Sequence, residues 1–345
     1  MAYYQGKQGY LGLAFQATAG TAETVPDVFI GTESWSSIKT QAPNYYSKEF
    51  RGAYFSEISH VYRKPNQMSS GSIEFPAYGD ALGYALHGVF GAVSTSGDTE
   101  GYINTFTVAE TQPIWTVFKG VDDLAMEKFH DMTMKSMQLT MEQEENVMVS
   151  VDMEGATGDI ATAAATPTYQ ARRALNAADV AVSIGGSGNC DVDRMEVSID
   201  RGVQTNRSFC TTGLGAWEPN FMYPTTFNLE GSFDMYFSDY NQYELFLGKD
   251  NNTVLTTDTY SVDDADTAII LTIEGPEILA GGAATKDKLT LTMHKVLYDD
   301  YDLQVEYDDR VKASIAFKAM LDTSQTPDAV CSCVLINGVD HDSVA

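Results

Sequence analysis

The side chains best suited to chemistry are few, and their spacing does not assemble a reactive site. The five histidines, His60, His87, His130, His294 and His341, include no HExxH and no other pair four residues apart. A zinc hydrolase needs two such ligands on one helix face, so metal-assisted hydrolysis has no support. His87 sits in a helix-like segment and reads as a packing or surface residue. Cys331-Ser332-Cys333 puts two thiols on one face of a strand, where they read as small buried apolar residues rather than a metal or redox pair. Gly185-Gly186-Ser187-Gly188 has Asn189 where a nucleophile turn needs its second glycine, and it lacks the Lys-Ser/Thr ending of a phosphate loop. It reads as a turn. The acidic clusters Asp191/Asp193, Asp263/Asp264/Asp266 and Asp299/Asp300/Asp302 with Asp308/Asp309 lack the glycine and terminal glutamate of a calcium loop. They read as solvated loop charge. The expectation is therefore of no catalytic residue, no cofactor, no metal ligand and no enzyme.

Composition narrows the partners. The 345 residues carry 21 Lys and Arg against 48 Asp and Glu, a net charge of −27. Affinity for nucleic acid comes mostly from basic side chains that release counterions from phosphates, and anionic membrane surfaces attract the same groups. Both are disfavoured. The N-terminus has no basic stretch followed by an apolar one, and no 18 apolar residues run together, so neither an export signal nor a membrane helix is expected. Four cysteines in this length argue for synthesis in a reducing cytoplasm. The 19 tyrosines, 16 phenylalanines and 28 glycines lean towards β-structure.

A small-residue stretch from Gly155 to Pro167, continuing to Asp179, reads as a surface linker dividing the chain into units 1–165 and 166–345. The two units share an order of segments. Gly71-Ser72-Ile73-Glu74-Phe75 opens a strand in the first, and Gly231-Ser232-Phe233-Asp234-Met235 opens one in the second, 160 positions on. Pro65 and Pro224 precede them. Ser37-Ile38-Lys39 matches Ser198-Ile199-Asp200 at a separation of 161. A helix-like segment follows each Gly-Ser strand, with Asp80 and Ser238 as N-cap candidates. Leu82, Ala85, Leu86 and Val89 recur at helical spacing, which predicts one face laid on a sheet.

Alternating strands then close each unit. Met137, Leu139 and Met141 alternate with Ser136, Gln138 and Thr140, and Val147, Val149, Val151 and Met153 resume the apolar face after a charged turn. In the second unit Leu289, Leu291 and Met293 alternate with Thr290, Thr292 and His294. A long acidic connection after Tyr298 is expected before Val311, Ala313, Ile315 and Phe317 take up the pattern. Period-two alternation means sheets with one buried face.

In pattern and order these segments resemble the major tail tube proteins of long-tailed, non-contractile bacteriophages, in a duplicated two-domain form. The resemblance runs from about Val25 to Asn337. In the first unit it rests on Ser34-Trp35-Ser36-Ser37-Ile38-Lys39, the Gly71 strand and its helix, Tyr102 to Thr107, Pro113 to Gly120, and the Met137 to Gly155 hairpin. In the second it rests on Cys190 to Asp200, the Gly231 strand and helix, and the strand ending at Leu335-Ile336-Asn337. It implies a mainly β fold of two tandem β-sandwich or flattened-barrel domains, each with a flanking short α-helix. It also implies a structural virion protein whose rings stack into a tube that conducts the genome during ejection, assembled in the host cytoplasm. The implied partners are further copies of the chain, the tape-measure protein, the tail terminator, the distal tail protein and double-stranded DNA passing through without sequence preference. Since single-domain relatives form rings of six, a duplicated chain is expected to form trimeric rings. The rival reading from the same tyrosine-rich β-structure is a surface-exposed binding module of adhesin or glycan-binding type.

Two further expectations follow. Glu142, Glu144, Asp152 and Glu154 are candidates for an acidic lumen wall. The Ser94 to Gly101 loop and the Asn251 to Asp266 stretch are candidates for arms that order only on assembly, since a permanently bare edge invites aggregation.

Overall fold

The computed structural model describes residues 8–34, 36–42, 45–46, 62–63, 67–98, 101–122, 124–161, 165–189, 191–206, 219, 221–238, 240–247, 249–250, 253–254, 268–278, 285–305 and 310–343. His60, Pro65, Cys190, Cys210, Asp263, Asp264, Asp266, Asp308 and Asp309 lie outside them, as does most of the Asn251 to Asp266 stretch.

The first half contains β1 (Gly9–Phe15), β2 (Val28–Ile30), β3 (Lys39–Gln41), β4 (Tyr45–Tyr46), β5 (Tyr62–Arg63) and β6 (Met68–Pro76). Helix α1 (Gly79–Phe90), β7 (Gly91–Asp98), β8 (Gly101–Val108), β9 (Trp115–Val121), β10 (Glu127–Glu142), β11 (Met148–Gly155) and β12 (Gly158–Ile160) follow. The second half opens with β13 (Val180–Ile184), β14 (Ser187–Asn189), β15 (Val192–Asp200), β16 (Gln204–Asn206), β17 (Phe221–Tyr223) and β18 (Asn228–Tyr236). It continues through α2 (Asn241–Phe246), β19 (Lys249–Asp250), β20 (Thr253–Val254), β21 (Ile269–Ile278), β22 (Lys286–Met293), β23 (Lys295–Gln304), β24 (Lys312–Met320) and β25 (Cys331–Asn337). The fold is mainly β and antiparallel throughout its pairings.

Alternation dictates the strands. Met137, Leu139 and Met141 on β10 are buried, as are Val151 and Val149 opposite the first two and Met153 opposite Met134, while the intervening polar residues face out. Each large apolar side chain so buried contributes about 1.5–3 kcal/mol relative to exposure. A one-residue slip would turn the whole set to water, so register is strongly held. The Gly185-Gly186 turn joins β13 to β14 with φ of 58° and 77°. Two successive left-handed residues suit the twist of a two-residue hairpin, and glycine adopts them without Cβ strain.

The pairing order contains the same four strands twice. In the first half it runs β3-β6-β11-β10, and in the second β15-β18-β24-β23. The β10·β15 ladder, from Ser136 opposite Asp200 to Glu142 opposite Arg194, joins them into one eight-strand run. The matched Gly-Ser strands are β6 and β18. Thr40 faces Ser69 as Ile199 faces Leu229, so the upstream strands correspond at a separation of 159. The sequence match at 161 was two residues out, a slip that preserves which face each side chain occupies.

Four other expectations are corrected. The acidic stretch after Tyr298 is a strand, not a connection: β23 pairs with β24 along its length, with an irregularity between Tyr298 and Asp300. β22, expected in that hairpin, belongs to a second sheet ordered β14-β13-β21-β22-β25-β8-β7. The supposed linker is also anchored. β12 pairs with β10, Leu175 is buried, and Arg172 bonds both Asp80 and Asp287 at 2.7 Å, tying it to α1 and to β22. Finally, Ser94 to Asp98 is paired with β8 within the single chain rather than free.

Helix α1 is buried on nearly every side, not on one face. Its outer side is covered by the chain's end: Asn337 donates from Nδ2 to the Gly79 carbonyl at 3.0 Å and to His341 Nε2 at 2.9 Å, and Tyr84 meets the His341 ring edge-on at 4.9 Å. Close packing explains two of its glycines. A Cβ at Gly83 would collide with His341, and one at Gly88 with Met134.

Candidate functional site

Residues selected by period two define the outer face of the eight-strand run. It carries Ser70, Ser72 and Glu74 on β6, Ser150, Asp152 and Glu154 on β11, and Ser136, Gln138, Thr140 and Glu142 on β10. The second half adds Arg194, Glu196, Ser198 and Asp200 on β15, Glu230, Ser232 and Asp234 on β18, and Lys312, Ser314 and Lys318 on β24. Lys295, Asp300, Asp302 and Gln304 on β23 and Lys39 and Gln41 on β3 add to it. With ten carboxylates against five bases, the face is acidic and rich in hydroxyls.

The bases are largely engaged. Lys318 meets Glu230 at 2.6 Å, Lys312 meets Asp193 at 2.6 Å, and Arg194 lies 3.6 Å from Glu196. Gln138 donates to Glu196 at 2.5 Å, and Ser136 to Asp152 at 3.1 Å. Such a face offers a polyanion repulsion and short polar contacts rather than a grip.

Of the residues singled out for an acidic wall, Glu142, Asp152 and Glu154 share this face, while Glu144 lies in the hairpin turn with φ of 66°. Glu74, Glu196, Asp200, Glu230, Asp234, Asp300 and Asp302 were missed. Their strands alternate, so parity alone could have found those on β6, β15 and β18. On β23 the irregularity broke the pattern.

The run ends in two open edges. Among the described residues, β3 pairs only with β6, and β23 only with β24. Asp300 and Asp302 therefore stand on an exposed strand edge at one end, and Lys39 at the other.

Among the described residues, no group of three or more His, Cys, Asp or Glu is placed to hold a metal ion. Cys331 and Cys333 are buried on one face of β25, and burial pushes the Cys331 thiol up to about 12 and the Cys333 thiol well above its ordinary value. Burial works to raise the Asp131 carboxyl, but His130, the Gly20 amide and Gln16 outweigh it and hold it below its ordinary value. His87 is buried, stacked on Phe15 at 6.3 Å and edge-on to Trp115 at 5.9 Å.

Burial lowers both His87 and His341 to about 4, against partial opposition from Asp342 and Asp340 respectively, with His87 adding to the effect at His341. Both are neutral in the folded protein at pH 7. Between pH 6.5 and 4 the unfolded chain takes up protons that the folded one refuses, so stability falls as pH falls through that window. Each histidine contributes about 3 kcal/mol to the loss, at roughly 1.4 kcal/mol per pH unit of separation. Melting temperatures measured from pH 7 to 4 are expected to fall steeply, and less steeply in His87→Phe, whose ring keeps the Phe15 and Trp115 contacts. Equal slopes in the two proteins would refute the assignment.

No curated protein matches the chain. A family model described as phage tail tube protein matches residues 6–319, nearly the whole length. The mainly β, antiparallel fold agrees with that match, and this chain belongs to the phage tail tube protein family.

Proposed function

We propose that three copies of the chain close into a ring, that the outer face of the eight-strand run lines its bore, and that stacked rings conduct double-stranded DNA during genome ejection from a long, non-contractile tail. The observation that carries this reading is the repeated strand order joined by β10·β15. Each half, 1–165 and 166–345, is then one tube unit, and the junction inside the chain is the template for the junction between chains. Transferring its register places β23 of one copy against β3 of the next, with Tyr301 opposite Thr40 and Asp302 opposite Lys39. The second pair brings opposite charges together across strands, a favourable arrangement.

Barrel geometry favours several chains over one. Eight strands alone close to a bore that side chains fill. Three such runs make a barrel roughly 50 Å across at the backbone, taking strands about 4.8 Å apart tilted by about 40°. Covalent linkage of two units raises their effective concentration and eases closure. The acidic wall keeps the phosphate backbone from binding as it passes.

In this reading the partners are the tape-measure protein within the bore, the tail terminator above and the distal tail protein below, and assembly takes place in the host cytoplasm. Imaging of the purified, assembled protein without imposed symmetry tests it. Rings of three chains with sixfold-like outlines are expected. Six full-length chains per ring, or a chain that stays monomeric at every concentration as a surface binding module would, overturn it.

A further inference from the structure

We propose that the aromatic face of α2 on one chain docks against β12 and the hollow beside it on the first half of a second copy; this rests on the ring-forming reading above. The two helices follow matching strands yet differ in their surroundings. Helix α1 is sealed by the other half of its own chain, through Asn337, His341 and the β22 residue Asp287. Helix α2 has no buried residue. It presents Tyr240, 60% exposed, with Tyr243 and Leu247 beside it.

These side chains form one apolar patch. Phe237 and Tyr240 have ring centroids 5.0 Å apart, Tyr240 and Tyr243 6.2 Å, and Tyr243 and Phe246 6.2 Å. Tyr243 also meets Tyr301 of β23 at 5.1 Å. The patch is thus continuous with the strand edge assigned to ring closure, and whatever pairs with β23 passes beside it. Contiguous exposed aromatic surface of this kind marks an interaction site.

The repeat identifies the occupant. What seals α1 includes β25, the strand that follows β24. The strand that follows β11 in the first half is β12. β25 is paired on both sides, by β22 and β8, whereas among the described residues β12 is paired only by β10. Ile160 on β12 is 68% exposed, and Val25 nearby is 64% exposed. Next to them lies a hollow of about 490 Å³ lined by Val25, Pro26, Phe29, Met126, Ala161 and Ala165. Lys128 and Glu23 line it as well, and Lys128 offers Glu244 of α2 an opposite charge. Carried across the β23-to-β3 junction, the arrangement that buries α1 sets α2 on this surface of the next chain.

The test uses the full-length chain. In Y240S/Y243S the concentration needed for assembly is expected to rise at least tenfold, while the melting temperature of the monomer stays within about 2 °C, since exposed substitutions change stability little. Tyr243→Cys combined with Ile160→Cys is expected to yield disulfide-linked oligomers on mild oxidation of assembled protein, with neither single variant doing so. Assembly of Y240S/Y243S at the parent's concentration, or absence of cross-links in assembled double-cysteine protein, overturns the docking alone. A parent chain that never assembles overturns the ring reading and this inference with it.

Discussion

Proline placed on the free edge of β23 is expected to abolish ring formation while leaving the chain folded. Successive residues of an edge strand turn their backbone amides alternately towards the neighbour and towards solvent. Asp302 and Leu303 are adjacent on β23, opposite Ser314 and Ala313 of β24, so one of the two amides faces outward. Proline lacks the N–H and is tolerated on an edge where that N–H meets water. Asp302→Pro and Leu303→Pro, made separately, should therefore split. The outward variant keeps its melting temperature within a few degrees and shows at least a hundredfold loss of assembly by sedimentation. The inward variant loses a β24 ladder bond and unfolds earlier.

A charge exchange checks the partner strand. Asp302→Lys is expected to weaken assembly by setting two lysines opposite each other, and adding Lys39→Asp to recover it. If both proline variants assemble like the parent, β23 is not the closing edge.

Reversing charge on the polar face is expected to slow DNA passage without preventing assembly. Glu74, Glu142, Asp152 and Asp234 lie on four different strands of that face, away from the β3 and β23 edges. Replacing these four with lysine changes the balance from ten carboxylates against five bases to six against nine. Repeated around a ring and along a tube, this presents phosphates with many bases. A wall making about 6–10 phosphate contacts gains an affinity that falls 10³–10⁵-fold between 50 and 200 mM salt. Tubes of the variant should retain duplex DNA at low salt and release it at high salt. Virions carrying it should eject at least tenfold more slowly at low salt, recovering as salt rises. Ejection at the parent rate in low salt, from tubes of normal appearance, would show that the face does not meet DNA.

Much of this architecture is local and therefore legible in the residues. The β10·β11 hairpin follows from Met137, Leu139 and Met141 alternating with polar neighbours, because burial on one face of a pleated strand needs only period two. The Gly-Ser strands β6 and β18 were matched at the separation the structure retains. The absence of metal-ligand spacing among the histidines was equally plain. Glu142, Asp152 and Glu154 could be placed on an exposed face by parity alone.

What the sequence left undetermined is how those pieces meet. β23 looked like an acidic connection because aspartates are poor strand formers and the irregularity at Tyr298 and Asp300 interrupts the alternation. Helix α1 looked amphipathic because its second cover, Asn337 and His341, arrives from the far end of the chain. The β10·β15 ladder that fuses the halves is likewise a long-range pairing. Backbone hydrogen bonds between strands carry no side-chain code of their own, so which edges join was decided by the packing of the whole molecule. Among the described residues, that packing leaves β3 and β23 each paired on one side only.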